Sequence, residues 1–176
     1  MRIAFSGSHC VGKSTLLAAV AEALPRHAVL DEPYNLLEEE GYEHSDPPTL
    51  EDFMAQLERS LAALEDAGPE TLFDRSPIDA LAYVLAHEDA EAFEPEEWLD
   101  AIRSGMQSLD LVVFVPIEQP DRISVPSHED RRYRARVHKK LERLLLDDAY
   151  DFGVEALVVE GDLRTRRDLV LKRARI

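Results

Sequence analysis

The stretch that decides the fold lies near the start of the chain and reads Gly7-Ser8-His9-Cys10-Val11-Gly12-Lys13-Ser14. Two glycines enclose a four-residue spacer and are followed at once by a lysine and a hydroxyl side chain, which is the Walker A pattern. A run typical of a β-strand, Arg2 to Ser6, precedes the loop, and apolar residues at helical spacing follow from Lys13 to Leu24. Backbone N–H groups and the positive end of a helix dipole therefore converge on one point, which predicts a phosphate site.

The residues at the two ends of this loop have predicted roles in binding ATP and Mg²⁺. Gly7 and Gly12 permit backbone angles and a close approach to phosphate that a β-carbon would oppose. Lys13 is predicted to neutralise the β- and γ-phosphates of ATP, and Ser14 to ligate Mg²⁺. Thr15 is predicted to add a hydroxyl for the α-phosphate.

The middle of the loop is expected to bind ATP through its backbone. His9, Cys10 and Val11 occupy positions that tolerate many side chains while their N–H groups surround the phosphates. A catalytic role for Cys10, whose thiol would lie near a helix N-terminus, is the alternative.

Composition limits the partners. A chain of 176 residues with 45% hydrophobic content predicts one domain, residues 1–176. The net charge of -16 disfavours nucleic acid, whereas two short arginine-rich groups favour a clamp for a compact polyanion. No apolar run is long enough to cross a membrane or to form a signal-peptide core, and one cysteine agrees with a reducing compartment, so we expect a cytoplasmic protein with no membrane partner. The sequence does not decide whether the chain forms a homodimer.

Strands alternate with helices along the chain. Such alternation predicts an α/β protein with a mostly parallel sheet covered by helices on both faces. Thr49 is predicted to cap a helix with Asp52, after an irregular, exposed segment from Tyr34 to Pro48. The predicted strands are Arg2 to Ser6, Ala28 to Leu30, Thr71 to Phe73, Asp110 to Val115 and Val154 to Val159.

Two classes of Walker A protein are disfavoured. A GTPase needs an asparagine-lysine-x-aspartate motif, but the one asparagine, Asn35, is followed by Leu36. A motor ATPase usually ends a long apolar strand in adjacent acidic residues, whereas Leu111 to Val115 runs into Pro116. Phosphoryl transfer to a small acceptor remains.

Two acidic positions at strand ends suit such a transfer. Asp74 is predicted to hold Mg²⁺, and Arg75 to reach the transferring phosphoryl group or the acceptor. The alternative is that this stretch merely caps the helix beginning at Pro77. Glu32 is predicted to be the base that takes the proton of an acceptor hydroxyl, the alternative being an exposed acid among many.

A third feature is a lid around residues 119–140. Arginines delivered by a closing lid stabilise the charge of the transition state and exclude water. We assign Arg132 and Arg136 to catalysis and Arg131 and Arg134 to ATP binding, without deciding which of them acts. The alternative is a solvated helix face of alternating charge.

These motifs, in this order, resemble the P-loop small-molecule kinases, a group that includes deoxynucleoside and nucleoside monophosphate kinases. The run Phe73-Asp74-Arg75-Ser76-Pro77-Ile78-Asp79-Ala80-Leu81-Ala82-Tyr83 is most similar to the AAA-type ATPase/kinase family that contains the nicotinamide riboside kinase domain. The resemblance implies a three-layer P-loop NTPase fold with a five-stranded sheet in the order 2-3-1-4-5. It also implies that Asp74 and Arg75 face the acceptor and that adenine lies near Gly161 to Arg166.

The sequence thus predicts ATP-dependent phosphoryl transfer to a hydroxyl of a small nucleoside-like metabolite. An acidic segment from Tyr34 to Asp52 would discourage a phosphorylated acceptor and suit a neutral or cationic one, nicotinamide riboside being a candidate. The alternatives are an ATP-binding switch or accessory ATPase and a nucleoside monophosphate kinase. A kinase that modifies nucleic acid ranks below these.

Overall fold

The computed structural model describes residues 1–121, 123, 126 and 130–174. Within these residues a sheet of five parallel strands has the order β2-β3-β1-β4-β5, as the resemblance implied. The strands are β1 Arg2–Ser6, β2 Ala28–Leu30, β3 Thr71–Asp74, β4 Leu111–Phe114 and β5 Ala156–Val158. The α-helices are α1 Lys13–Ala23, α2 Pro33–Glu39, α3 Leu50–Asp66, α4 Pro77–Ala86, α5 Leu99–Gln107, α6 Arg131–Leu145 and α7 Leu163–Arg173.

Both faces of the sheet are buried, which makes a three-layer α/β fold. Successive side chains of a strand point to opposite faces, and those of β4 divide accordingly. Val112 and Phe114 pack with apolar residues of α3 to α6, whereas Leu111 and Val113 pack with residues of α1 and α7. This explains why the strand is apolar throughout rather than alternating.

The segment after β2 is more ordered than the sequence indicated. The prediction of an irregular chain from Tyr34 was wrong over its first part, because α2 begins at Pro33, with Glu32 as its N-cap residue. Proline at the first helical position costs no hydrogen bond, so the proline that follows β2 by three residues can start a helix. The predicted cap of α3 is confirmed: Thr49 and Asp52 form a reciprocal capping box.

Other boundaries shift by a few residues. β4 and β5 are each shorter than the predicted strands Asp110 to Val115 and Val154 to Val159, and a 3₁₀ turn at Pro95–Glu97 precedes α5. Residues 122, 124, 125 and 127–129 of the predicted lid lie outside the described residues. None of the helices described between residues 1 and 174 is long and apolar enough to cross a membrane.

Candidate active site

The phosphate loop lies where β1, β3 and β4 end at one edge of the sheet. β1 stops at Ser6, and the chain turns through residues 7–12 into α1. A β-carbon on Gly7 would lie 2.5 Å from the carbonyl oxygen of Val115, a distance that no side chain tolerates. Gly12 has φ 86°, in the left-handed region that favours glycine. Both glycines are therefore required by the turn itself.

Lys13 lies over this loop with its side chain buried. Its Nζ donates to the carbonyl oxygen of Ser8 at 3.2 Å. Burial, together with the charge of Arg75, lowers the pKa of Lys13 to about 8. Thr15, predicted to meet the α-phosphate, lies exposed one residue beyond Ser14.

Ser14 and Asp74 lie together, as their predicted role as Mg²⁺ ligands requires. The Ser14 hydroxyl donates to Oδ2 of Asp74 at 2.5 Å, and burial raises the pKa of that carboxyl. Among the residues that the structure describes, the buried Oδ1 of Asp74 has no hydrogen-bond partner. A hydroxyl beside a carboxylate with a spare oxygen fits Mg²⁺, which prefers oxygen ligands. Because the described chain has no group of three or more Asp, Glu, His or Cys side chains placed to hold a metal ion, phosphate oxygens and water would complete the shell.

Arg75 joins the phosphate loop to the predicted base. Its Nε donates to Oε2 of Glu32 at 2.6 Å, and its Nη1 donates to the carbonyl oxygen of Gly7 at 3.3 Å. Burial would raise the pKa of Glu32, but the neighbouring guanidinium outweighs burial and lowers it. Glu32 is thus a carboxylate at neutral pH, held at the edge of the loop.

Asp79, for which no role was predicted, holds the start of the phosphate loop and the N-terminus of α4 together. The side chain is fully buried, and its Oδ1 accepts from the N–H of Gly7 at 2.8 Å. Its Oδ2 accepts from the N–H and hydroxyl of Ser76 at 2.9 and 3.1 Å. The spacing Ser76-x-x-Asp79 is a capping-box signal that could have identified the residue.

A cavity of about 670 Å³ opens beside Glu32 and Arg75. Its aromatic wall consists of Phe53, Tyr83 and Tyr133, with ring centroids 5.3 Å apart for Phe53–Tyr83 and 6.0 Å for Tyr83–Tyr133. Such a wall suits a flat, ring-containing molecule. The sequence did not identify it, because these side chains fall in helical patterns that equally indicate core packing.

Tyr83 also contacts the phosphate loop. Its hydroxyl oxygen accepts from the backbone N–H of His9 at 3.0 Å, and Nδ1 of the same histidine lies 3.0 Å away. His9 lines the cavity as well. The cavity and the phosphate loop therefore share a wall.

The predicted lid arginines on α6 do not face one way. Arg136 lines the cavity, with its guanidinium 5.2 Å from the centroid of the Tyr133 ring. Arg131 and Arg132 are exposed in the first turn of α6. Arg134 is buried against the phosphate loop and donates to the carbonyl oxygens of His9 and Cys10, both at 2.9 Å.

A second buried arginine, Arg166 on α7, reaches the same loop. Its Nη1 donates to the carbonyl oxygen of Val11 at 2.9 Å, and its Nη2 pairs with Glu118 at 2.7 Å. The family resemblance implied that Arg166 lies at the end of the adenine region, and no contact between Arg166 and the loop was predicted. Its location in an arginine-rich stretch was the available signal.

Comparisons with known proteins agree with this architecture. The family model described as an AAA domain matches residues 2–166. A deoxyadenosine kinase from M. mycoides with bound dATP superposes with a TM-score of 0.72 at 19% identity, covering 100% of each chain. A NadR protein in complex with NAD and AMP-PNP gives 0.67 at 18% identity, over 99% of this chain and 49% of that one.

A shikimate kinase from Aquifex aeolicus vf5 has a TM-score of 0.59 at 16% identity, covering 99% of this chain and 96% of that one. No curated protein matches the sequence significantly. At these identities the structural matches establish the fold alone, and it is the fold that the resemblance to the P-loop small-molecule kinases implied.

Proposed function

The chain belongs to the AAA domain family, and from that premise we propose that it is an ATP-dependent kinase. It transfers the γ-phosphoryl group of ATP to a hydroxyl of a small nucleoside-like molecule, in the cytoplasm. The observation that carries the proposal is that Arg75 contacts the Gly7 carbonyl and the Glu32 carboxylate at once. The phosphate loop and a carboxylate base thus lie within the span of one guanidinium group.

The residues divide the chemistry between them. The oxygen of the acceptor hydroxyl attacks the γ-phosphorus of ATP while Glu32 accepts the hydroxyl proton. The bond between the γ-phosphorus and the oxygen that bridges it to the β-phosphate breaks, and ADP is released. In this proposal Lys13 of the phosphate loop and Arg136 of the cavity lining balance the negative charge that develops on the phosphoryl oxygens. Mg²⁺, held by Ser14 and Asp74, would supply further charge neutralisation at the phosphates.

The cavity supports an acceptor without phosphate groups. Its lining includes four carboxylates against two arginines, Arg75 and Arg136, and Arg75 is already paired with one of the carboxylates, Glu32. The other three are Asp46, Glu88 and Asp130. Acidic side chains around a cavity repel a phosphorylated molecule and leave a neutral or cationic one unopposed. Two structural neighbours, a deoxyadenosine kinase and a NadR protein in complex with NAD and AMP-PNP, are likewise proteins of nucleotide or nucleoside chemistry.

The test is a panel of acceptors incubated with Mg-ATP, with ADP and phosphorylated product both measured. The panel contains deoxynucleosides, ribonucleosides, nicotinamide riboside and nucleoside monophosphates. We expect turnover of at least one unphosphorylated acceptor, lost in Glu32→Gln and retained in Glu22→Gln, an exposed acid on α1. Turnover of monophosphates alone would contradict the hydroxyl-acceptor proposal, and ATP binding without any transfer would favour a nucleotide-dependent switch.

A further inference from the structure

Two buried arginines hold three consecutive carbonyl groups of the phosphate loop. Arg134 donates through Nε to the carbonyl oxygen of His9 and through Nη2 to that of Cys10, and Arg166 donates through Nη1 to that of Val11. All three distances are 2.9 Å. Only 5% of Arg134 and 6% of Arg166 is exposed. The two residues come from different helices, α6 and α7, and meet the loop side by side.

Each guanidinium is fixed by a carboxylate of the segment that follows β4. Nη1 of Arg134 lies 2.6 Å from Oδ2 of Asp121, and Nη2 of Arg166 lies 2.7 Å from Oε1 of Glu118. A planar group anchored on one side by a carboxylate and on the other by carbonyl oxygens has little freedom to rotate. The direction of the loop carbonyls is therefore set by both arginines.

Fixing these carbonyls also fixes the N–H groups that bind phosphate. A trans peptide unit is planar, with its C=O and N–H directed to opposite sides. The carbonyls of His9, Cys10 and Val11 share peptide units with the N–H groups of the residues that follow each of them. The N–H groups of residues 10, 11 and 12 consequently point away from the two arginines, and they are among those that a Walker A loop offers to phosphate.

We propose that Arg134 and Arg166 are positioning residues for ATP. They orient the backbone of the loop and do not contact ATP themselves, whereas Arg134 was predicted to be a lid residue that binds ATP. The inference deepens the proposed function, since it takes the loop to be the ATP site. It separates Arg134 from Arg136, which lines the acceptor cavity.

Replacing Arg134 by lysine distinguishes the two roles. A lysine keeps the positive charge but has no planar fork, so it cannot donate to both carbonyls and to Asp121 in the same geometry. Lys139 on α6 is exposed, and Arg167 on α7 is partly exposed beside Asp168, so Lys139→Gln and Arg167→Gln supply the charge controls.

We therefore measure Kd for Mg-ATP and for inorganic tripolyphosphate by calorimetry, with the Tm of each variant. We expect Arg134→Lys, which loses two hydrogen bonds to the loop, to raise both Kd values about tenfold, and Arg166→Lys, which loses one, to raise them about fivefold. The two charge controls should stay within about twofold of the parent. Amide NMR shifts of Cys10, Val11 and Gly12 should move in the two arginine variants and stay in place in the controls.

Asp121→Asn provides a variant that keeps Arg134 itself. Because Asp121 is partly exposed, this change disturbs the fold little, and a rise in Kd of about threefold or more is expected. Unchanged affinities in both Arg134→Lys and Asp121→Asn, or a lower Tm with unchanged affinity, would overturn the inference. A parent protein that binds no Mg-ATP would remove the proposed function first, and this inference with it.

Discussion

The buried ammonium group of Lys13 makes ATP binding sensitive to pH on the alkaline side of neutrality. Burial and the neighbouring Arg75 lower its pKa from 10.5 to about 8. Only the protonated form attracts the phosphates of ATP. Because the pKa is lowered, this attraction is present below about pH 8 and is lost as the pH rises through that value. The apparent Kd for Mg-ATP should therefore increase with pH.

The size of the effect follows from the pKa of about 8. About nine-tenths of the free protein carries the charge at pH 7 and about one-tenth at pH 9. If only that fraction binds, affinity falls about tenfold across this window, or ~1.4 kcal/mol. Phosphate groups with a last pKa near ~6 do not titrate there.

Calorimetric titration with Mg-ATP at pH 7, 8 and 9, at constant ionic strength, measures this change. Lys13→Met should bind more weakly at every pH and show a flat profile, because the titrating group is gone. Cys10→Ser should keep the full slope, which separates the lysine from the loop thiol. A flat profile in the parent, or a tenfold slope that persists in Lys13→Met, would refute the reasoning.

Three further predictions concern other parts of the site and the core. Glu32→Gln should lower kcat about a hundredfold or more while leaving the Kd for Mg-ATP nearly unchanged, and an equal loss in both by steady-state kinetics and calorimetry would contradict its role as base. Asp79→Asn keeps one acceptor oxygen and turns an amide NH2 group toward the other of the two buried N–H groups, which is left without an acceptor. Urea denaturation should therefore show a loss of about 1–3 kcal/mol together with weaker ATP binding, and unaffected ATP binding would argue against the contact of Asp79 with Gly7. Leu57→Ala, at a side chain with no exposure, should cost about 2–5 kcal/mol of unfolding free energy without changing Kd, and a cost near zero would mean that α3 does not pack as described.

The location of the phosphate loop could be predicted because it depends on a short-range pattern, whereas the order of the strands was an implication of the family resemblance. Gly7 and Gly12 are demanded by the turn itself, and apolar runs separated by helices leave few topologies. Asp74 and Glu32 follow from the same logic, since parallel strands end at one edge. Sequence alone was therefore sufficient to bring the loop and two carboxylates together.

The direction of long side chains could not be predicted in this way. Arg134 and Arg136 are two residues apart on one helix, yet one lies against the loop and the other lines the cavity. Arg166 reaches the loop from a helix that follows it by more than a hundred residues. Such contacts depend on how the helices pack, which local periodicity does not specify. Helix α2 was missed because the chain from Tyr34 was predicted to be irregular, and Pro33 was not recognised as the first residue of a helix.

The position of Tyr83 means that the two substrates would not meet independent surfaces. The side chain of Tyr83 lines the cavity, while its hydroxyl oxygen accepts a hydrogen bond from the backbone N–H of His9. Pressure on the ring from an incoming acceptor would be transmitted to the peptide that follows Ser8. If ATP and the acceptor bind as proposed, occupancy of one site should change the affinity of the other, with the Tyr83 side chain as the link between them.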